Sequence, residues 1–98
     1  MADVLDGSEV DAAIGERGLR WYRQGHELVK VVEHPDFARA LAYVVAVGAL
    51  AEEANHHPDV DIRWGTVTLR LSTHSAGGLT AADLALAGRI DGLPAPGR

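Results

Sequence analysis

Apolar and polar residues alternate twice in the second half of the chain. Val60, Ile62 and Trp64 form one apolar row, and Val67, Leu69 and Leu71 form the next. Each row reads as a strand with one buried face. Gly65-Thr66 lies between them, glycine first, and suits a two-residue type II′ turn. That turn sets Trp64 opposite Val67, brings both rows to one side and places Trp64 in the core. The opposite side carries Thr68, Arg70, Ser72 and His74.

Elsewhere the period is helical. In "PDFARALAYVVAVGALAEEAN" the apolar face runs through Phe37, Leu41, Val44, Val47 or Gly48, and Ala51. Val44, Val45 and Val47 lower helix propensity, so burial must hold this helix. Pro58 disfavours the α conformation at His57 and ends the helix near Asn55 or His56. "GSEVDAAIGERG" predicts a helix over about residues 9–17, opened by Ser8 and Asp11 as a capping pair and stopped by Gly18. "LRWYRQGHELVKVVEH" predicts two strands around Gly25, at about 19–23 and 27–34. Thr80 and Asp83 form a second capping box, opening a last helix that runs to about residue 91.

The order is helix, two strands, helix, two strands, helix. It predicts an α+β fold, with a four-stranded antiparallel sheet and helices packed on one face. The 98 residues fit a single domain, with a core over about 8–92 and a flexible tail at 93–98. The other sheet face, or its edge, is left for water or a partner chain.

Composition narrows the function. The net charge is −5, which disfavours direct nucleic-acid binding. Cysteine is absent, so disulfides and thiolate metal sites are excluded. "MADVLDGSEVD" lacks the basic and apolar regions of a signal peptide. The longest apolar run, Ala40 to Ala51, is too short to span a bilayer. A cytoplasmic protein without membrane attachment is expected.

Candidate chemistry gathers in "EEANHHPDVDIRW". Glu52 and His56 are four apart, so on a helix they share a face and meet. A carboxylate there orients the imidazole and raises its basicity. His57 points elsewhere, and His74 ends a strand on its polar side. Three imidazoles could serve as acid and base, or as zinc ligands with an open water position. Adjacent histidines favour metal only weakly, because the helical i, i+4 histidine pair is absent. The plain alternatives are an exposed ion pair at Glu52–His56, solvated histidines at His57 and His74, and a capping acid at Asp83. His26 and His34 have no spacing partner and receive no role.

Glu52, His56-His57-Pro58, Trp64, His74 and Asp83, at this spacing, resemble the signature of the pterin-4a-carbinolamine dehydratases. "LSTH" at Leu71–His74, "GLTAAD" at Gly78–Asp83, Trp21 and the Asp36-Phe37 pair extend the resemblance over about residues 20–92. It implies the same α-β-β-α-β-β-α order and assembly into a homodimer or homotetramer. The implied reaction is dehydration of a 4a-hydroxytetrahydropterin to the quinonoid dihydropterin, in pterin recycling beside an aromatic amino acid hydroxylase. His56, His57, His74 and Glu52 become the catalytic set, with His56 and His74 as acid and base. His57, Ser72 and Thr73 would bind the pterin, Glu52 would orient a histidine, and Asp83 would at most support from behind. No metal or organic cofactor is implied, since no redox change occurs. His34 stands where the family often has an aromatic residue, and Ala76 where animal members carry a cysteine. Animal relatives also act as dimerisation cofactors of a transcription factor, so a non-catalytic pterin-binding or protein-interaction module is the alternative.

Overall fold

The structure is a computed structural model and describes residues 3–94. Its elements are α1 (Gly7–Arg17), β1 (Tyr22–Gln24), β2 (Glu27–Glu33), α2 (Phe37–Ala54), β3 (Asp59–Arg63), β4 (Thr66–Leu71) and α3 (Ala81–Asp91), with a 3-10 turn at His74–Ala76. The four strands form one antiparallel sheet in the order β1-β2-β4-β3. The expected α+β fold and element order are both present.

The core follows from the alternation. Leu28 pairs with Leu71 and Val32 with Val67, while Leu69 lies between them on β4. These five side chains face the helices and are buried with Val10, Val47, Leu84, Leu86, Ala87 and Ile90. Full burial of each such large aliphatic side chain contributes about 1.5–3 kcal/mol. On the other face Val29 is also buried, flanked by Tyr22 and Arg70. Arg70 reaches past it to Gln24 and Glu27.

Several local expectations change. Asp6, not Ser8, caps α1, and Glu9 completes its box. The glutamate three residues after Asp6 closes the reciprocal bond that Ser8 and Asp11 cannot. Asp11 instead binds Arg23 through both oxygens, and that guanidinium holds its carboxyl below the usual range. In α2 the buried stripe is Ala40, Val47 and Ala51, whereas Phe37, Leu41 and Val45 are exposed. Ala40 and Val47 belong to the core cluster, so the face of α2 that carries them turns inward and the adjacent, bulkier row is left outside. Leu93, expected in a flexible tail, packs against the core and donates its amide to Ile90. The rest of that tail from residue 95 lies outside the described residues.

The β3–β4 turn is Trp64-Gly65, not Gly65-Thr66, and Arg63 pairs with Thr66. Thr66 is anchored opposite Glu33 and gives its hydroxyl to that carboxylate at 2.6 Å. The turn therefore moves back by one residue. The pairing shifts by two, so Val60 and Ile62 keep their face, opposite Leu69 and Val67. Trp64 is left in the turn at a φ of 52° and 69% exposed, not in the core. Gly65 is required by close approach, because a Cβ there would meet the His34 carbonyl oxygen at 2.4 Å.

Candidate active site

Two histidines leave the end of α2 in different directions. Asn55 adopts the left-handed conformation at a φ of 49°. The Asn55 amide bonds the Glu52 carbonyl, and the His56 amide reaches back to Ala51 at 3.1 Å. This is a Schellman ending, which satisfies the last carbonyls while reversing the chain. His56 is thus beyond the helix, and the i, i+4 pairing with Glu52 does not form. Glu52 pairs instead with His57, Oε2 to Nε2, at 2.5 Å.

His56 turns to the start of α3. Its Nε2 lies 2.5 Å from Asp83 Oδ1. Asp83 is fully buried and is the third residue of α3, where it caps Thr80 through the backbone amide at 2.9 Å. The Thr73 hydroxyl donates to the same Asp83 oxygen, Oδ2, at 2.7 Å and lies 2.8 Å from the Thr80 hydroxyl. Asp83 was expected as a capping acid behind the site. It does cap α3, and it also holds His56 directly.

His74 follows Thr73 at the exposed start of the 3-10 turn. Its side chain forms no hydrogen bond or ion pair among the described residues. Thr73 ties it to the others, because Thr73 and His56 bind the same carboxylate. The loop is fixed by Thr73 and Gly78, whose backbones pair, and by the Leu5 amide on the Leu79 carbonyl. The Thr73 amide serves Gly78, and its carbonyl accepts from Ala76, Gly77 and Gly78. Thr73 therefore has its polar groups engaged within the protein, while half-buried Ser72 beside it has no side-chain bond among the described residues. His26 is exposed, and His34 is buried against Tyr43 with Nε2 unpartnered among the described residues; neither bonds to this cluster there.

Two clefts of the molecule lie elsewhere, one against Leu5, Val10, Arg23 and His26, the other against Arg20, Lys30, Tyr43 and Asp91. In the second, burial and the neighbouring Asp91 push the Tyr43 phenol up to about 12. Among the described residues, no three His, Cys, Asp or Glu side chains converge as a metal site. No helix among them is long and apolar enough to cross a membrane. Sequence reasoning missed Thr80 as part of the cluster. Its signal was the capping box itself, whose acid is also the histidine's partner.

The family model for pterin 4 alpha carbinolamine dehydratase matches residues 3–93. A protein of Roseiflexus castenholzii, provisionally named pterin-4-alpha-carbinolamine dehydratase, is 52% identical over 93% of this chain and 97% of its own length. A Haloarcula marismortui protein with the same provisional name is 42% identical over 95% of this chain and 98% of its own. Among solved structures, the transcriptional coactivator/pterin dehydratase from Brucella melitensis superposes with a TM-score of 0.82 at 26% identity. That match covers 91% of this chain and 96% of the other. A pterin dehydratase-like protein, identified as a RuBisCO assembly factor in the alpha-carboxysome, gives 0.59 at 27% identity, covering 74% and 84%. Matched along nearly its whole described length, the chain belongs to the pterin-4a-carbinolamine dehydratase family.

Proposed function

We propose that this protein is a carbon–oxygen hydro-lyase that dehydrates a 4a-hydroxytetrahydropterin. In the reaction N5 loses its proton, the C4a–O bond breaks, the hydroxyl gains a proton and leaves as water, and a C4a=N5 double bond forms. An acid and a base must therefore face neighbouring atoms of a flat ring. His56 and His74 are the acid–base pair in this reading, and His57 with Glu52 behind it contacts the pterin and shares proton movement. Ser72 serves the ring edge. The observation that carries the reading is His56 held on buried Asp83, since an imidazole locked by a carboxylate is prepared for proton transfer. Recycling of pterin beside an aromatic amino acid hydroxylase, in the cytoplasm, is the setting that fits this chemistry.

The test generates the carbinolamine with a hydroxylase and follows its decay spectroscopically. The wild type should accelerate decay, and His56→Ala and His74→Ala should each remove most of that acceleration. Decay at the uncatalysed rate with wild-type protein would refute the enzyme.

A second reading, a protein-interaction module, is favoured by the exposed apolar row Phe37, Leu41 and Val45 on α2 and by exposed Trp64. The same surface suits self-association into a homodimer or homotetramer. Native mass spectrometry measures the assembly directly, and a monomer at working concentration would remove that part of the reading.

A further inference from the structure

We infer that Thr73 and Thr80 are positioning residues that fix the proton of His56 on Nε2 and leave Nδ1 as the atom that exchanges a proton with substrate. The inference deepens the dehydratase reading and rests on it for the word substrate, but the proton placement stands on the free protein.

Counting protons gives the direction of every bond. The Thr80 hydroxyl oxygen accepts the Ala82 amide at 3.3 Å. Each hydroxyl carries one proton. Thr73 gives its proton to Asp83 Oδ2 at 2.7 Å, so in the 2.8 Å contact between the two hydroxyls Thr80 must be the donor. Asp83 Oδ2 also receives the Thr80 amide at 2.9 Å, and two donors occupy that oxygen. Only Oδ1 remains, and it faces His56 Nε2 at 2.5 Å. A single proton lies on that line. Asp83 already accepts two bonds at Oδ2 as the carboxylate of this network, and an ionised carboxylate has no proton to give, so Nε2 carries it. In a neutral ring the second nitrogen is then a bare acceptor. Nδ1 makes no hydrogen bond among the described residues, and the side chain is 16% exposed.

The arrangement also explains why a threonine precedes His74. Its hydroxyl is turned to Asp83, so it acts on substrate only through His56. Without that donor Oδ2 loses one of its two bonds, the carboxylate is freer to rotate, and His56 is released to both tautomers.

The test is nitrogen-15 NMR of the free protein, labelled at histidine, above neutral pH. His56 should show one tautomer, protonated at Nε2, while exposed His26 shows the mixture of free histidine. A His56 protonated at Nδ1, or one that averages like His26, overturns the inference whether or not any variant folds. Thr73→Val should move His56 toward that mixture and lower kcat roughly 10–100-fold with KM little changed. Thr73→Ser should restore both readouts. A raised KM with the His56 tautomer intact would instead make Thr73 a substrate ligand and overturn its positioning role. A wild type with the Nε2 tautomer but no dehydration would refute the proposed function and leave the proton placement standing.

Discussion

His56–Asp83 and His57–Glu52 are adjacent imidazole–carboxylate pairs with the same 2.5 Å separation. Their surroundings differ. The first pair is 16% and 0% exposed, the second 55% and 77%. Asp83 is supported by a hydroxyl and an amide, whereas the Glu52 side chain, on the last turn of α2, has only His57 as a partner among the described residues. Equal distance does not give equal consequence. In water an ion pair gains little, because solvent screens it and two side chains must be ordered. Out of water, removing one partner leaves a polar group with no substitute.

The comparison breaks most clearly at His56. His56→Ala should lower dehydration by about 10²–10⁴-fold, the usual range for one general acid or base. His57→Ala should act chiefly on KM. Steady-state kinetics on both variants measures the contrast, and equal losses of kcat would erase it.

Asp83→Ala comes next, and should affect folding as well as rate. It removes an α3 cap and His56's partner, which together cost about 2–3 kcal/mol. Urea unfolding monitored by circular dichroism should register this as an earlier midpoint. Glu52→Gln should change stability by less than about 0.5 kcal/mol in the same assay.

The smallest effect extends the contrast between burial and exposure to a phenol. Burial chiefly, and then Asp91, push Tyr43 up to about 12, so folding favours its neutral form. That stabilisation is fully present below the ordinary tyrosine range near 10 and is lost as pH rises from there through about 12. An ultraviolet titration should show Tyr43 ionising late, and Tyr43→Phe should flatten the alkaline fall in stability.

Much of the fold was legible because period and punctuation are local. Strand alternation set the correct sheet faces, and Pro58 with Asn55 marked the end of α2. The chemistry was less legible where neighbours are distant or the backbone reverses. Helical spacing joined Glu52 to His56, but one left-handed residue at Asn55 exchanged the partners. The hairpin pattern admitted two turns, and Glu33, from another strand, selected between them. Trp64 read as core because it continued an apolar row, yet that selection left it in the turn. Asp83 was recognisable as a cap from its distance to Thr80, whereas its bond to His56 spans 27 positions and no periodicity encodes it.

Asp83 divides its oxygens between two masters. Oδ2 closes the first turn of α3, and Oδ1 holds the histidine. A lineage that abandoned the chemistry could discard His56 and still need the acid to start its last helix. The reverse substitution would damage both. Loss of the pair should therefore have a direction, with the imidazole lost first and the carboxylate kept for the helix. In a descendant, Asp83 alone would mark the start of α3, and only the pair would keep the imidazole held as it is here.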